Sequence, residues 1–533
     1  MENRSDAIDI AALVNVIVEI ERRLAANRID DGKALMRPFL PDGTAGTLFS
    51  AYGGLAFLYD SLAAGNRAPQ FQQKRLEYGQ SALLLNPTDA LAHAVLSENE
   101  CLLVAENLLR HQQLPMATQL LTYLQDHSES DSAGFRLDLI AYFERERRQI
   151  LECAPAAVSD PRPLLINVNV WGTAYVQTLF QYGFASLLAP ENLPKRALER
   201  KIFIDIYTTR EDKQRITDHP MTGTLSELAE IRYRLLPETS LTAPVRQVLP
   251  EVDLWCLAGA QQSGALRARR LGADLIYCGP AFVYSANALN ALSRYLADGH
   301  KAVLSIIPRT RESTAHAQLR TYGEVEAHKI DIGEDALAKF VAENLHEQSI
   351  NCFLGSDEKL VEQNPVTLFF PIDEGFACRS YQPFPVIVSN ELLPDDFTFD
   401  TFPADARFLA QAIQEREPGA AVKFVTDPAQ EIVVTDVDCD AGSGMKTYGA
   451  IAATAENCVS GALHTSILET DLDYYRWSLR QRVEYKVGDP SLLPTADESE
   501  ASVMQRIDAL FEAGSAGALD RLRFFRRLTA KTS

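Results

Sequence analysis

Three aspartates alternate at the end of one predicted strand. In EIVVTDVDCDAGSGMKT (431–447), Asp436, Asp438 and Asp440 follow an apolar run, and two glycines come soon after them. Three carboxylates so close together suit a hard divalent cation such as Mg²⁺ or Mn²⁺, and the end of a strand is a common place for a binding site. The stretch therefore predicts a site for a cation or a diphosphate. An acidic turn that closes the strand is the alternative.

Two better-known motifs do not fit this stretch. A calcium-binding EF-hand loop would need glycine at 441 and glutamate at 447, where the chain has Ala441 and Thr447. A phosphate-binding P-loop would need glycine at 440 and 445, where the chain has Asp440 and Met445. The predicted site therefore depends on the carboxylates themselves.

Other charged residues lie in or just after apolar runs. Arg309 and Arg311 follow KAVLSII (301–307), and they are candidate diphosphate ligands for a site without a metal, because guanidinium groups bind phosphate oxygens strongly. Surface exposure is the alternative for both. Asp205 lies inside KIFIDIYT (201–208), where a buried carboxylate needs a partner. Asp205 is therefore predicted to contact a base or ribose. A position on an edge strand is the alternative.

The composition limits the class of protein. The chain has 533 residues, 46% of them hydrophobic, which is enough for two or three globular domains. Its formal net charge of −21 argues against a nucleic-acid-binding protein, since phosphate backbones are bound by clustered lysine and arginine. The eight cysteines show no C-x-x-C or metal-ligand spacing, as is typical of reduced thiols in a cytoplasmic protein. The start shows no signal peptide, and no apolar stretch is long enough to predict a transmembrane segment.

Residues 1–155 are predicted to form a helical domain. Alanine and leucine are plentiful, and turn sequences such as LNPTD and DHSESD separate the helical segments. The stretch 78–98 resembles tetratricopeptide repeats, and the matching positions are Ala82, Leu83, Asn86, Pro87 and Ala90. A helical bundle that packs on the next domain is the alternative. Both interpretations predict protein contact, not chemistry, for this region.

A linker is predicted over 156–163, an α/β domain over 164–470 and a helical C-terminal extension over 471–533. The α/β domain alternates apolar runs with helical periods, which indicates a mostly parallel, Rossmann-like sheet with helices on both faces. The predicted strands are 164–170, 201–208, 254–259, 273–278, 301–307, 366–370, 385–389, 421–426 and 431–436. The predicted helices are 173–189, 225–235, 261–271, 285–298 and 334–347.

Three segments carry a resemblance to a known family. They are VNVWGTAYVQTLFQYGFASLLAPENLP, IDIYTTREDKQRITDHP and ARRLGADLIYCGPAFVYSANALNALSRYLADGHKAVLSIIPRT. Together they resemble the nucleotide-sugar glycosyltransferases of the GT-A type, especially bacterial proteins of that class, over roughly 164–310 and more weakly over 366–440. The shared features include an opening strand, a strand that ends in a threonine-containing loop, and a later strand led by Ala-Asp.

The resemblance implies a GT-A-like sheet, a nucleotide-sugar donor and a set of site residues. The implied substrate-binding residues are Asp205, Thr208, Asp274, Arg309 and Arg311. His464 is the implied C-terminal histidine ligand of a divalent cation, Mn²⁺ or Mg²⁺, that Asp436 and Asp438 also bind. Asp405 lies in a segment that resembles the acceptor side, and it is the candidate catalytic carboxylate.

The chain departs from this family after the central strand. In GT-A enzymes a D-x-D pair there holds the cation against the diphosphate, but this chain has GPAF, with Ala281 in the place of the acid. The departure implies a metal-independent mechanism, a cation site elsewhere, or no catalysis.

The sequence thus predicts a glycosyltransferase that moves a sugar from a nucleotide diphosphate donor to a protein or other acceptor, which the helical domain helps to bind. A non-catalytic scaffold of the same fold is the alternative, and another α/β sugar- or nucleotide-processing enzyme is a third interpretation. The absence of G-x-S-x-G and G-x-G-x-x-G disfavours a serine hydrolase and a dinucleotide-dependent dehydrogenase. The sequence does not predict the oligomeric state, and a homo-oligomer is one of the alternatives.

Overall fold

A computed structural model describes residues 10–26, 28–40, 50–65, 68–128, 130–157, 159–238, 240–322, 329–354, 365–401, 421–438, 453–465, 469–486 and 499–529. Within these residues the chain forms an N-terminal helical region followed by an α/β region, as the sequence predicts. No helix among them combines the length and the apolar character needed to cross a membrane.

The described part of the N-terminal region contains eight α-helices. They are α1 (Ile10–Ala25), α2 (Ile29–Met36), α3 (Ala51–Gly65), α4 (Pro69–Leu85), α5 (Ala90–Val95), α6 (Glu98–Arg110), α7 (Leu114–Ser128) and α8 (Asp131–Glu152). Asp89 starts α5 by accepting hydrogen bonds from the backbone N–H groups of Leu91 and Ala92. Ser97 and Glu100 form a reciprocal capping box at the start of α6. The helical region is confirmed, and its identity as tetratricopeptide repeats stays a prediction.

The α/β region alternates strands and helices. Its strands are β1 (Leu164–Asn169), β2 (Ile202–Thr208), β3 (Glu230–Leu235), β4 (Asp274–Cys278), β5 (Phe282–Tyr284), β6 (Ala302–Ser305), β7 (Arg309–Arg311), β8 (Thr367–Ile372), β9 (Gly375–Ser380), β10 (Phe384–Val388), β11 (Val422–Phe424), β12 (Val434–Asp438) and β13 (Val483–Lys486). Its helices are α9 (Thr173–Thr178), α10 (Phe184–Leu187), α11 (Leu193–Glu199), α12 (Arg210–Asp218), α13 (Pro220–Leu228), α14 (Ala243–Val248), α15 (Val252–Arg270), α16 (Ala288–Ala297), α17 (Glu312–Leu319), α18 (Glu334–Glu343), α19 (Glu347–Ile350), α20 (Ala455–Thr465), α21 (Glu469–Arg480) and α22 (Glu500–Thr529). A π-helical turn, Leu179–Gly183, joins α9 to α10.

The main sheet has seven strands in the order β11-β6-β10-β4-β1-β2-β3. Strand β1 pairs in parallel with β2 and β4, β2 with β3, and β6 with β11. Strand β10 is antiparallel to both of its neighbours, β4 and β6. All residues of β1, β2 and β4 are buried, which accounts for their nearly continuous apolar sequences. A mostly parallel sheet is therefore confirmed, with one antiparallel strand inside it.

Two smaller sheets adjoin the main one. The first has the order β5-β12-β7, with β12 antiparallel to β5 and parallel to β7. The second has the order β13-β9-β8 and is antiparallel. The first of these sheets brings residues 436–438 next to residues 309–311, so two segments with predicted site residues become neighbours.

Two predicted elements are wrong. LWCLAG (254–259), predicted as a strand, lies inside α15, and most of that helix is buried. A helix buried on several faces has an apolar run that cannot be told from a strand by periodicity. The helix predicted over 225–235 ends at Leu228, and β3 follows at Glu230. The C-terminal extension, predicted as helical, also contains the strand β13.

A buried network of charged groups joins the helical region to the main sheet. Glu146, on α8, accepts hydrogen bonds from Arg267 at 2.6 Å and from the hydroxyl of Tyr207 at 3.0 Å. Arg267 Nε also lies 3.8 Å from Asp205 Oδ2, and Arg232 Nε donates to Asp205 Oδ1 at 2.5 Å. Asp205, predicted to bind substrate, is fully buried in this network. Its partners are arginines, which is how a buried carboxylate is stabilised.

We expect Arg267→Met to lower the free energy of unfolding by about 3–5 kcal/mol, because it leaves two buried carboxylates short of positive charge. Urea unfolding followed by circular dichroism measures this loss. The control is Arg210→Met, since Arg210 forms an exposed ion pair with Glu238 and its loss should cost about 0–1 kcal/mol. Equal effects of the two substitutions would contradict a structural role for the network.

Candidate functional site

A cleft of about 1230 Å³ opens at the carboxyl ends of β1 and β4. Its wall includes Asn169 at the end of β1, Tyr277 and Cys278 at the end of β4, and the loop 279–282 that follows. After β1 the chain continues to one side of the sheet, while β4 lies on the other side. Ligands of open α/β sheets bind at such a switch point, outside the carboxyl ends of the strands.

Three of the predicted site residues meet in this cleft. Because β7 and β12 are parallel, Arg309 lies opposite Asp436 in the strand register. The Nη1 atom of Arg309 is 3.3 Å from Asp438 Oδ2, and its Nε atom is 3.9 Å from Asp436 Oδ2. All three side chains line the cleft. Two carboxylates and one guanidinium thus form its charged wall.

The carboxyl group of Asp436 has a perturbed pKa. This pKa is raised to about 6. Burial is the main cause, the positive charge of Arg309 opposes it, and the negative charge of Asp438 adds to it. About a quarter of the side chain, 27%, remains exposed, so the group can exchange a proton with a ligand. A carboxylate with this pKa is mostly ionised at neutral pH and is a stronger base than an ordinary aspartate.

Helix α17 adds two titratable residues that the sequence analysis missed. Glu312 and His316 are four residues apart on this helix, and both line the cleft. His316 Nδ1 lies 3.1 Å from the hydroxyl oxygen of Tyr182. The signal was present in RTRESTAH, because residues at positions i and i+4 share one face of a helix.

A chain of amides reaches the floor of the cleft. Asn167 Nδ2 donates to the carbonyl of Ala260 at 3.5 Å, and Asn169 Nδ2 donates to Asn167 Oδ1 at 2.8 Å. These bonds leave Asn169 Oδ1 as the free acceptor, and this buried oxygen has no hydrogen-bond partner among the described residues. A buried polar atom without a partner costs free energy. Because Asn169 also lines the cleft, its amide is a candidate contact for a ligand N–H or O–H group.

The turn after β1 is held by the turn after β2. Gly172 has φ +89°, a conformation that favours glycine, and its N–H donates to Asp212 Oδ2 at 2.7 Å. The hydroxyl of Thr209 donates to the same carboxylate oxygen at 2.8 Å. The Trp-Gly corner and the TTRED sequence thus fix the start of α9, whose side chains line the cleft.

Four other predicted residues, Asp205, Thr208, Asp274 and Arg311, are not among the described residues that line the cleft. Thr208 is fully buried at the end of β2, and Asp205 belongs to the network described above. Asp274 lies at the amino end of β4, where Oδ2 binds Arg200 at 3.2 Å and Oδ1 accepts the N–H of Asn390 at 3.2 Å. Arg311 Nε donates to the carbonyl of Leu345 at 2.9 Å.

The remaining predicted site residues lie, in whole or in part, outside the residues that the structure describes. Asp405 and Asp440 lie outside the described residues, and so does the side chain of His464 in α20. Ala281 is buried in the cleft wall, and its carbonyl accepts the N–H of Val437 at 3.0 Å. Within the described ranges, no group of three or more His, Cys, Asp or Glu side chains is placed to hold a metal ion.

Comparison of the chain with protein-family models gives no match. Comparison with curated proteins gives none either. Function is therefore argued from the geometry of the cleft.

We expect the stability contribution of Asp436 to fall as the pH rises. Its folded-state pKa of about 6 lies above the pKa of about 3.9 in an unfolded chain, so the folded protein holds the proton more tightly. The contribution is thus full below pH about 4 and is lost as the pH rises through about 6. Asp436→Asn should remove this dependence and stabilise the protein by about 1–3 kcal/mol at pH 7.5. Unfolding free energies of both proteins, measured from pH 4 to 8, check this.

Two further variants test whether the neighbouring charges set the pKa of Asp436. Arg309→Gln should move the loss of stability to higher pH, because Arg309 lowers the pKa of Asp436, and Asp438→Asn should move it to lower pH. Shifts in the same direction, or curves for the parent and Asp436→Asn that run parallel, would show that the pKa is not set by these neighbours.

Proposed function

We propose that the protein is a glycosyltransferase that moves a sugar from a nucleoside diphosphate to the hydroxyl group of an acceptor. The observation that carries this proposal is the convergence of Arg309, Asp436 and Asp438 at the carboxyl ends of β1 and β4. The resemblance to GT-A enzymes implied a donor site in this place, and the cleft offers charged groups for both a diphosphate and a proton.

The shape of the site supports a large, polar ligand. The cleft volume of about 1230 Å³ exceeds the range of about 300–1,000 Å³ typical of small-molecule sites, so it has room for a nucleotide sugar and the reacting part of an acceptor. The order β3-β2-β1-β4 is that of a nucleotide-binding half-sheet. The antiparallel β10 beside β4 breaks the all-parallel dinucleotide-binding pattern, which disfavours a dehydrogenase.

Sugar transfer needs a positive charge to neutralise the leaving diphosphate and a base to take the proton of the acceptor, and the residues of the cleft can supply both. The bond between the anomeric carbon and the phosphate oxygen breaks, and the diphosphate leaves with the electron pair. Arg309 neutralises this negative charge, and Asp438, 3.3 Å away, positions the guanidinium. The acceptor oxygen forms the new bond to the anomeric carbon and gives its proton to Asp436, whose raised pKa makes it a suitable general base.

Asp436 and Asp438 also suit the divalent cation that the resemblance implies. Two carboxylates together with substrate phosphates are a common ligand set for Mg²⁺, and such an ion would stabilise the charge of the leaving diphosphate. In the structure the guanidinium of Arg309 lies against both carboxylates. Arg309 would therefore have to turn toward the diphosphate for a cation to bind between them.

One observation favours the second candidate, a non-catalytic scaffold. Ala281 is buried in the wall of the cleft at the place where the resemblance implies an acid. A scaffold of this fold would keep the sheet and the cleft but show no transfer. Binding and turnover must therefore be tested separately.

We expect one nucleoside diphosphate among UDP, GDP and CDP, free or as its sugar, to stabilise the protein against heat. Ligand at about 100 times Kd should add about 2.7 kcal/mol to the free energy of unfolding. Arg309→Gln should weaken this binding about 10- to 100-fold, because it removes a charged hydrogen-bond donor. Arg311→Gln is the matched control, since Arg311 lies two residues away but does not line the cleft.

The same screen with and without Mn²⁺ shows whether a bound cation or the guanidinium of Arg309 holds the diphosphate. Binding that needs Mn²⁺ and is lost in Asp436→Asn and Asp438→Asn assigns the diphosphate to a cation, whereas metal-independent binding assigns it to Arg309. Release of the nucleoside diphosphate from its sugar, followed by chromatography, then separates an enzyme from a scaffold. If no nucleotide binds, the glycosyltransferase proposal is wrong.

We further expect Asn169→Leu to weaken binding of that nucleotide about 5- to 150-fold, the equivalent of about 1–3 kcal/mol for one lost hydrogen bond to a buried group. Isothermal titration calorimetry measures the change. The substitution also removes the hydrogen bond that Asn169 Nδ2 donates to the buried Asn167 Oδ1, so the unliganded protein should lose about 1–3 kcal/mol of stability, and the affinities are compared at a temperature where both proteins are folded. Unchanged affinity would show that the ligand does not reach the floor of the cleft.

A further inference from the structure

A second cavity, of about 530 Å³, lies beside the cleft. We call it the side pocket. Its apolar wall is formed by Val176, Phe180, Ala185, Met221, Leu319 and Ile330. Gln177, Gln181 and His316 line both the side pocket and the cleft, so the two cavities meet along one row of polar side chains.

Aromatic rings form part of the wall of the side pocket. The rings of Phe180 and His219 are stacked, with centroids 3.6 Å apart and planes 13° apart. Both residues line the pocket, together with Tyr182. Flat, apolar walls of this kind are complementary to a planar ring, since stacked aromatic pairs add to the free energy of burial.

The rim of the side pocket carries positive charge. Arg320 and Lys329 both line it, and neither forms an ion pair or side-chain hydrogen bond with any residue that the structure describes. Arg215, a third cation of the pocket, is already bound by Asp212 and Glu211. Among the described residues no acidic side chain neutralises Arg320 or Lys329, so in a chain with a net charge of −21 this cavity is complementary to an anion.

We propose that the side pocket binds the acceptor, and that the acceptor is a small molecule with a planar apolar ring, a negatively charged substituent and a hydroxyl group. The ring packs against Phe180 and Met221, and the anion lies between Arg320 and Lys329. The hydroxyl group passes the shared residues, among them His316, and enters the cleft. The acceptor role depends on the proposed glycosyltransferase function, whereas the binding of a ring-bearing anion does not.

The acceptor hydroxyl reacts as in the proposed transfer. Its oxygen bonds to the anomeric carbon, its proton goes to Asp436, and the diphosphate leaves with the electrons of the broken bond. The side pocket takes no part in these steps. It places the hydroxyl, which is why the residues that line the side pocket alone are expected to change acceptor binding and not nucleotide binding.

Naphthalene-2-sulfonate is the probe for the side pocket, because it joins a planar ring to an anion. Fluorescence titration of the full-length protein should show saturable binding of one molecule, with a Kd on the order of 0.1–1 mM for a ligand of this size. Arg320→Gln combined with Lys329→Gln should weaken binding at least about tenfold. The neutral 2-naphthalenemethanol should bind less tightly and should not respond to these substitutions.

A charge-matched control variant carries Lys74→Gln and Lys339→Gln, which lie on α4 and α18 away from the residues lining the pocket. It should bind the sulfonate like the parent. Absence of saturable binding, or equal weakening in both double variants, would overturn the side pocket as an anion-binding site.

The two proposals can fail independently. Arg309→Gln should keep sulfonate binding while it loses the nucleotide, and the parent protein should bind nucleotide and sulfonate at the same time. Competition between them would overturn the acceptor role, because donor and acceptor must be bound together. Sulfonate binding without any nucleotide binding would keep the pocket and overturn the glycosyltransferase.

Discussion

The site depends on the insertion of strand β12 between β5 and β7. The hydroxyl of Thr435 donates to the carbonyl of Pro308, 127 residues away in the chain, at 2.8 Å. The N–H of Asp436 donates to the same carbonyl at 3.2 Å, and the N–H of Val437 donates to that of Ala281 at 3.0 Å. These bonds fasten β12 to the loops that follow β4 and β6. Without them Asp436 and Asp438 would have no fixed position beside Arg309.

The same insertion explains why a charged cluster is tolerated in the wall of the cleft. Two aspartates on one face of a strand repel each other, and burial makes the charge of Asp436 costly, as its raised pKa shows. Arg309, opposite Asp436 in the register, offsets part of this repulsion. The buried network around Asp205 instead surrounds its carboxylate with several arginines. The carboxylate of Asp436 is thus only partly compensated and has a perturbed pKa, as is common at functional sites, whereas that of Asp205 is held by several arginines.

The sequence predicted the helices and strands better than it predicted which strands and side chains contact each other. Strands β1, β2 and β4 were predictable because burial on both sides makes them continuous apolar runs, and the same rule failed for α15, which is also buried. Arg309, Asp436 and Asp438 were predictable as residues near strand ends. Asp274 is the first residue of β4, so it lies at the amino end of the strand, whereas the cleft lies at the carboxyl end. The direction of the strand alone could have excluded Asp274 from the site. The pairing of β12 with β7 had no signal in the sequence, because distant strands pair through tertiary packing.

The π-helical turn after α9 contributes side chains to both cavities. Its five residues, Leu179–Gly183, contribute Phe180 and Tyr182 to the side pocket and Gln181 to both cavities. A Cβ atom at Gly183 would lie 2.9 Å from the carbonyl oxygen of Pro280, so only glycine lets this turn approach the loop after β4 so closely. A π-helical turn widens a helix at one point and is frequent at functional sites. Here consecutive residues of this turn line an apolar pocket and a polar cleft, so the proposed acceptor and donor sites would share one short segment of the chain.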